Sequence, residues 1–238
     1  MKRVTRLTAF ALGLVVLAMP ASALAFTFNT IDPPGSTFTF PFGINPQGDI
    51  VGNYVDVGGV IHGFLLQEGT FSTIDVPGSE ATFARRVNPQ GDIVGFYFAG
   101  DMLHGFLLHK GAFTTIDFPG ATATLAFGLN PQGDIVGWYI DSGGGDHGFL
   151  LHHGDFTTID FPGSTSTFAL GINPQGDVVG GYSASGVSHG FLLRLGEFTT
   201  IDPPASTFTA ATGINEVGDI VGWYFDVSGV AHGFLAQR

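Results

Sequence analysis

The tripeptide His-Gly-Phe occurs five times, with its histidine at His62, His104, His147, His189 and His232. The steps between them are 42, 43, 42 and 43 residues. A second marker keeps the same step: the aspartate that closes Thr-Ile-Asp stands at Asp32, Asp75, Asp117, Asp160 and Asp202. A period this regular is the mark of a repeat architecture, in which one unit cannot bury its apolar face alone and must stack on its neighbours.

Each unit reads as four short strands. In the third unit they are Thr124–Asn130, Asp134–Tyr139, His147–His152 and Phe156–Asp160, rich in β-branched and aromatic residues and bounded by Gly, Pro, Asn or Asp. No window carries the i, i+3, i+4 apolar spacing of an amphipathic helix. The first two strands are joined by Asn-Pro-Gln-Gly-Asp, starting at Asn45, Asn88, Asn130 and Asn173, and by Asn-Glu-Val-Gly-Asp at Asn215. Proline pre-sets φ, glycine accepts a positive φ, and the Asn side chain can bond the backbone ahead of it, so the phrase predicts a tight hairpin.

The expected fold is all-β: a five-bladed β-propeller with four strands per blade, occupying residues 26–238 as one domain. The segment FTFNTID at its start reads as a fourth strand without the preceding three, and its last stretch reads as three strands without a fourth. The N-terminal strand is therefore expected to complete the last blade and close the ring, which removes exposed sheet edges. A solenoid would call for polar caps at both ends, and none is written here.

Residues 1–25 read as a secretory signal peptide: a basic start, a short apolar run, and Ala23-Leu24-Ala25 as the cleavage site. That segment holds Lys2, Arg3 and Arg6 and none of the twenty acidic residues, so the chain from Phe26 onward carries a formal charge of −15. Nucleic acid is excluded as a partner, because so few cations cannot neutralise a phosphate backbone. With no cysteine in the sequence there is neither a disulfide nor a lipidation site. The expectation is a secreted or periplasmic monomer with no membrane anchor and an unidentified protein or saccharide as partner.

The set GINPQGDIVG, HGFLL and the Gly-bounded FTTID resembles the HAF family of extracellular bacterial repeats. There, G-I-N-x-x-G-x-V-V-G-x-S is followed by H-A-F and a strand between glycines. All five units match, with Gly for the Ala of H-A-F, Tyr where Ser is common, and no Trp after HGFL. The resemblance implies an exported bacterial protein and brings no established activity.

Symmetry constrains the candidate sites, because a residue present in all five units cannot mark a single active centre. The five histidines are each expected to satisfy a backbone group inside a blade. The carboxylates after the hairpins, Asp49, Asp92, Asp134, Asp177 and Asp219, are read as turn-stabilising. No cofactor is expected; calcium on that aspartate set is the alternative, although one carboxylate per unit falls short of the usual oxygen-rich cation site. The five tyrosines read as core, but Tyr139 and Tyr224, with Trp138 and Trp223 beside them, are candidate faces for stacking on sugar rings. Equivalent pockets would give a multivalent lectin-like module. The clearest break in the repeat is Arg85-Arg86, where other units read Phe-Gly, Leu-Gly or Thr-Gly. On an innermost strand, those cations predict a contact with an anion or acidic ligand at the central channel.

Catalysis is not expected. A propeller glycosidase needs an acid and a base or nucleophile about the channel, yet TFPFGIN, TFARRVN, TLAFGLN, TFALGIN and TAATGIN hold no Asp or Glu. No G-x-S-x-G elbow occurs either. The function expected is noncatalytic binding or scaffolding.

Overall fold

The computed structural model describes residues 27–237. The expected signal segment lies outside them. Residues 27–30 belong to a small N-terminal unit and carry no regular secondary structure; every strand lies in the second unit, Ile31–Arg238.

The strands follow the repeat. β1 (Ser36–Ile44), β2 (Ile50–Asp56), β3 (Ile61–Gln67) and β4 (Thr70–Ile74) form an antiparallel meander. β5 (Ala81–Val87), β6 (Ile93–Ala99), β7 (Met102–His109) and β8 (Ala112–Ile116) repeat it. So do β9 (Ala123–Leu129), β10 (Ile135–Ile140), β11 (Asp146–His152) and β12 (Asp155–Ile159). β13 (Ser166–Ile172), β14 (Val178–Ala184), β15 (Val187–Arg194) and β16 (Glu197–Ile201) make the fourth sheet. β17 (Phe208–Ile214), β18 (Ile220–Phe225) and β19 (Ala231–Ala236) make the fifth, tied to the fourth by one parallel bridge between Ser188 and Phe208.

Each unit is a blade built on one packing rule. The phenylalanine of His-Gly-Phe is fully enclosed in the first four blades, at Phe64, Phe106, Phe149 and Phe191. It fits because the facing strand is glycine there: a Cβ on Gly95 would run into the Phe83 carbonyl oxygen and the Phe106 ring. The outer hairpins need positive φ at two successive residues, as at Lys110 (49°) and Gly111 (81°), the turn whose twist suits paired strands.

A shared irregularity positions the centre of the molecule. The ladder between the first two strands of every blade slips at one shared place, which leaves Phe42, Arg85, Phe127, Leu170 and Thr212 as extra, unpaired residues; the first blade slips a second time at Thr37. A β-bulge bends its strand and re-aims the side chain it carries. Here all five bulged residues face one common cavity.

The stacking of blades has a seam between the last and the first. Val51, Val94, Val136 and Val179 are fully buried against the following blade, but their counterpart Val221 is 48% exposed. On the first blade Phe38 is 63% exposed and Ile44 69%. Where the blades do meet, the turn asparagine reaches the next turn: Asn45 donates to the Asn88 carbonyl (3.2 Å), Asn130 to that of Asn173 (3.4 Å) and Asn173 to that of Asn215 (3.3 Å). Among the described residues neither Asn88 nor Asn215 makes such a bond, β19 has no outer partner, and residues 27–33 form no strand. The expected closing strand is thus not formed in this part of the chain.

Candidate functional site

The repeated residues pair with one another. In the hairpin phrase, Asn130 Oδ1 accepts the backbone N–H groups of Gln132 (3.0 Å) and Asp134 (2.9 Å), while its Nδ2 donates to the Asp134 carboxylate at 2.8 Å. The other copies do the same, so Asp49, Asp92, Asp134, Asp177 and Asp219 are turn-formers with an Asn partner. Three of them also take a cation-capable side chain from the end of the third strand: His109 to Asp92 (2.6 Å), His152 to Asp134 (2.6 Å) and Arg194 to Asp177 (3.2 Å). No group of three or more His, Cys, Asp or Glu that could hold a metal ion occurs among the described residues.

The fivefold histidines differ from expectation in their partner. It is the Thr-Ile-Asp carboxylate of the same blade, not a backbone group: His62 Nδ1 lies 2.9 Å from Asp75, His104 3.0 Å from Asp117, His147 3.0 Å from Asp160 and His189 2.6 Å from Asp202. Each ring also stacks on the blade's tyrosine, as Tyr139 does on His147 at 5.2 Å between centroids. The tyrosine hydroxyl in turn meets a threonine of the fourth strand, Tyr139 to Thr158 at 3.0 Å. Burial opposes a proton on His147, but Asp160 and Asp141 outweigh it and raise its pKa above the usual 6.5. Among the described residues the last blade has no fourth strand, and His232 turns its Nε2 to Asp226 at 3.2 Å.

These contacts separate the four aromatic candidates. Tyr139 is buried with its hydroxyl engaged, which takes it away from any ligand. Trp138 lies partly buried between blades, edge-on to Phe168 at 5.3 Å. Tyr224 stacks on His232. Only Trp223, 38% exposed, faces an open space.

That space exists because of Gly181, which the sequence reading passed over. The position holds Asn53, Phe96, Trp138 and Trp223 in the other blades. The backbone does not require glycine: a Cβ there would sit 3.6 Å from the His189 carbonyl oxygen and 3.8 Å from that of Thr209, ordinary contact distances. Its missing side chain leaves a cleft of about 240 Å³ between the fourth and fifth blades. Phe168, Phe208 and Trp223 wall it, the last two stacked at 4.6 Å, and Ser183 and Ser188, whose hydroxyls bond each other at 3.2 Å, border it. The signal was legible as VVGGY against VGNY, VGFY and VGWY, but it is hard to notice in a chain with 37 glycines.

The second break, Arg85-Arg86, does two different things. Arg86 occupies a glycine seat and reaches across the axis, where Nη1 donates to the Phe42 carbonyl of the first blade and Nη2 to the Thr212 carbonyl of the fifth at 3.4 Å. It therefore joins the two blades that flank the seam. Arg85 is a bulged residue and points into the axial cavity, about 180 Å³, lined by Phe42, Arg85, Arg86, Phe127, Leu170 and Thr212. Its guanidinium carbon lies 4.2 Å from the Phe42 ring centroid, 5.0 Å from that of Phe96 and 5.4 Å from that of Phe127. Burial, with repulsion from Arg86 added, lowers the Arg85 pKa to about 10. Burial lowers that of Arg86 as well.

No protein-family model matches the chain, and no curated protein does. Solved structures do match in fold. TolB from Acinetobacter baumannii superposes with a TM-score of 0.56 at 14% identity, over 83% of this chain and 54% of that one. A variant of Aleuria aurantia lectin in complex with alpha-methyl-L-fucoside gives 0.50 at 12% identity, over 84% of this chain and 74% of the lectin. Streptogramin B lyase gives 0.50 at 16%, over 86% and 70%. With its four-stranded sheets, no helix among the described residues and these neighbours, the chain has an all-β, propeller-type fold.

Proposed function

We propose that this protein is an exported, noncatalytic binding module, a five-bladed ring of HAF-like repeats that takes a saccharide in the cleft between its fourth and fifth blades. Gly181 carries the proposal. It empties a position that the other blades fill, at no gain in backbone freedom, and exposes an aromatic wall beside two serine hydroxyls. Such a wall suits the C–H face of a sugar ring, and sparse polar groups at its edge fix orientation. A lectin carrying a fucoside has the same kind of fold, although at 12% identity it speaks for the fold alone. The cleft occurs at one blade junction, so the module takes one ligand where the repeat alone suggested several.

In this reading the segment ending at Asp32, which forms no strand in the structure, takes the outer edge of β19 to close the ring, and Asp32 then stands to His232 as Asp160 stands to His147. Export, to the periplasm or beyond the cell, rests on the signal-like residues 1–25 and on the resemblance to extracellular repeats. The noncatalytic role is supported by the axial lining, in which none of the residues is a carboxylic acid.

Titration with a panel of mono- and disaccharides, followed by tryptophan fluorescence, tests the reading. One sugar class should change the emission, and Trp223→Ala should abolish the response. Gly181→Trp, which installs the residue found at 138 and 223, should also abolish binding while leaving the melting temperature within a few degrees. If no sugar binds, or Gly181→Trp binds as well as the parent, the saccharide reading is wrong.

A further inference from the structure

The axial cavity holds a positive charge that the protein leaves unanswered. Arg85 offers five N–H donors, and among the described residues none of them reaches a protein acceptor. Its Nε has no exposed surface and no hydrogen-bond partner at all. Neither Arg85 nor Arg86 has a carboxylate within ion-pair distance among the described residues, in a chain with 20 acidic groups and 8 basic ones. The Phe rings around the guanidinium attract it through their faces. That attraction is weaker than the cost of stripping water from a cation without giving it an anion.

The two arginines are not equivalent. Arg86 is engaged with two carbonyls and works within the fold. Arg85 is held in place by rings and keeps its donors free, which is how a ligand-binding guanidinium is prepared. The remaining wall is Phe42, Phe127 and Leu170, with the engaged Arg86 and Thr212 as the other polar residues. A site with one unpaired cation, a second cation engaged with carbonyls and three apolar side chains suits an anion with an apolar body.

We propose that the axial cavity is a binding site for one small organic carboxylate of about the size of benzoate, paired with Arg85 and packed against Phe42, Phe127 and Leu170. Its volume of about 180 Å³ suits a single small ring. The site lies apart from Gly181 and Trp223 and stands or falls independently of the saccharide cleft, although Leu170 borders both.

The test is calorimetric titration and thermal shift of residues 26–238 with benzoate, phenylacetate and inorganic phosphate, with benzamide as the uncharged match. The aromatic carboxylates should bind once per chain and raise the melting temperature; benzamide should not. Arg85→Leu, which copies the residue of the fourth blade, should lose at least tenfold in benzoate affinity. The unliganded variant should melt no lower than the parent, because it removes an unpaired buried charge. Phosphate binding as well as benzoate would refute the apolar-body part of the proposal. Absence of binding by any anion, or equal benzoate affinity in Arg85→Leu, would overturn it. A marked drop in the melting temperature of unliganded Arg85→Leu would also count against it, since the rings would then be partner enough.

Discussion

At the scale of single residues, most of what the repeat writes five times is internal bonding. The hairpin asparagine satisfies two backbone N–H groups and one carboxylate, and the histidine, tyrosine and strand-four aspartate form a stack of their own. The His147 pair carries a pH signature. Its folded-state pKa is raised, so the stability it contributes is complete below the unfolded value of 6.5 and is lost as pH rises through the folded one. His147→Gln should therefore lower the melting temperature most near pH 5 and progressively less toward pH 8, as measured by thermal melts of both proteins across that range. A constant difference at all pH values would mean that the charged pair contributes nothing. The sequence marked both partners as invariant through the repeat. It could not say that they meet, because twelve residues and a hairpin lie between His147 and Asp160 and only the antiparallel register of β11 and β12 brings them together.

At the scale of elements, the bulge on each innermost strand decides which side chain sees the axis. Strand order and approximate limits were readable from the period, the alternation and the turn phrase. The bulge was not, because nothing in the composition of TFARRVN says which residue the ladder skips. Sequence alone therefore presents Arg85 and Arg86 as one pair, although their roles diverge. Arg86 is a fastener between blades, and Arg86→Gly, which restores the residue of the other four blades, should destabilise the protein by about 2 kcal/mol through loss of two charge-assisted bonds to carbonyls. Urea denaturation checks this. An unchanged or higher midpoint would mean that the burial cost of the guanidinium equals or exceeds what those bonds return.

At the scale of the whole molecule, four blade junctions bury their valine and the fifth is the seam. Val221 on one side and Phe38 and Ile44 on the other are apolar surfaces of the kind that the other junctions cover. If the N-terminal strand closes the ring, Asp32→Ala should lower the melting temperature about as much as Asp117→Ala does, since each removes one histidine partner. A silent Asp32→Ala would contradict closure. The repeat supplies the frame, and the departures from it, Gly181 and Arg85, supply the places proposed for a ligand. The most direct test of that claim is the stoichiometry of saccharide binding by isothermal titration calorimetry on residues 26–238. One equivalent per chain is the predicted result. Four or five equivalents would place binding in the repeated residues and contradict the account.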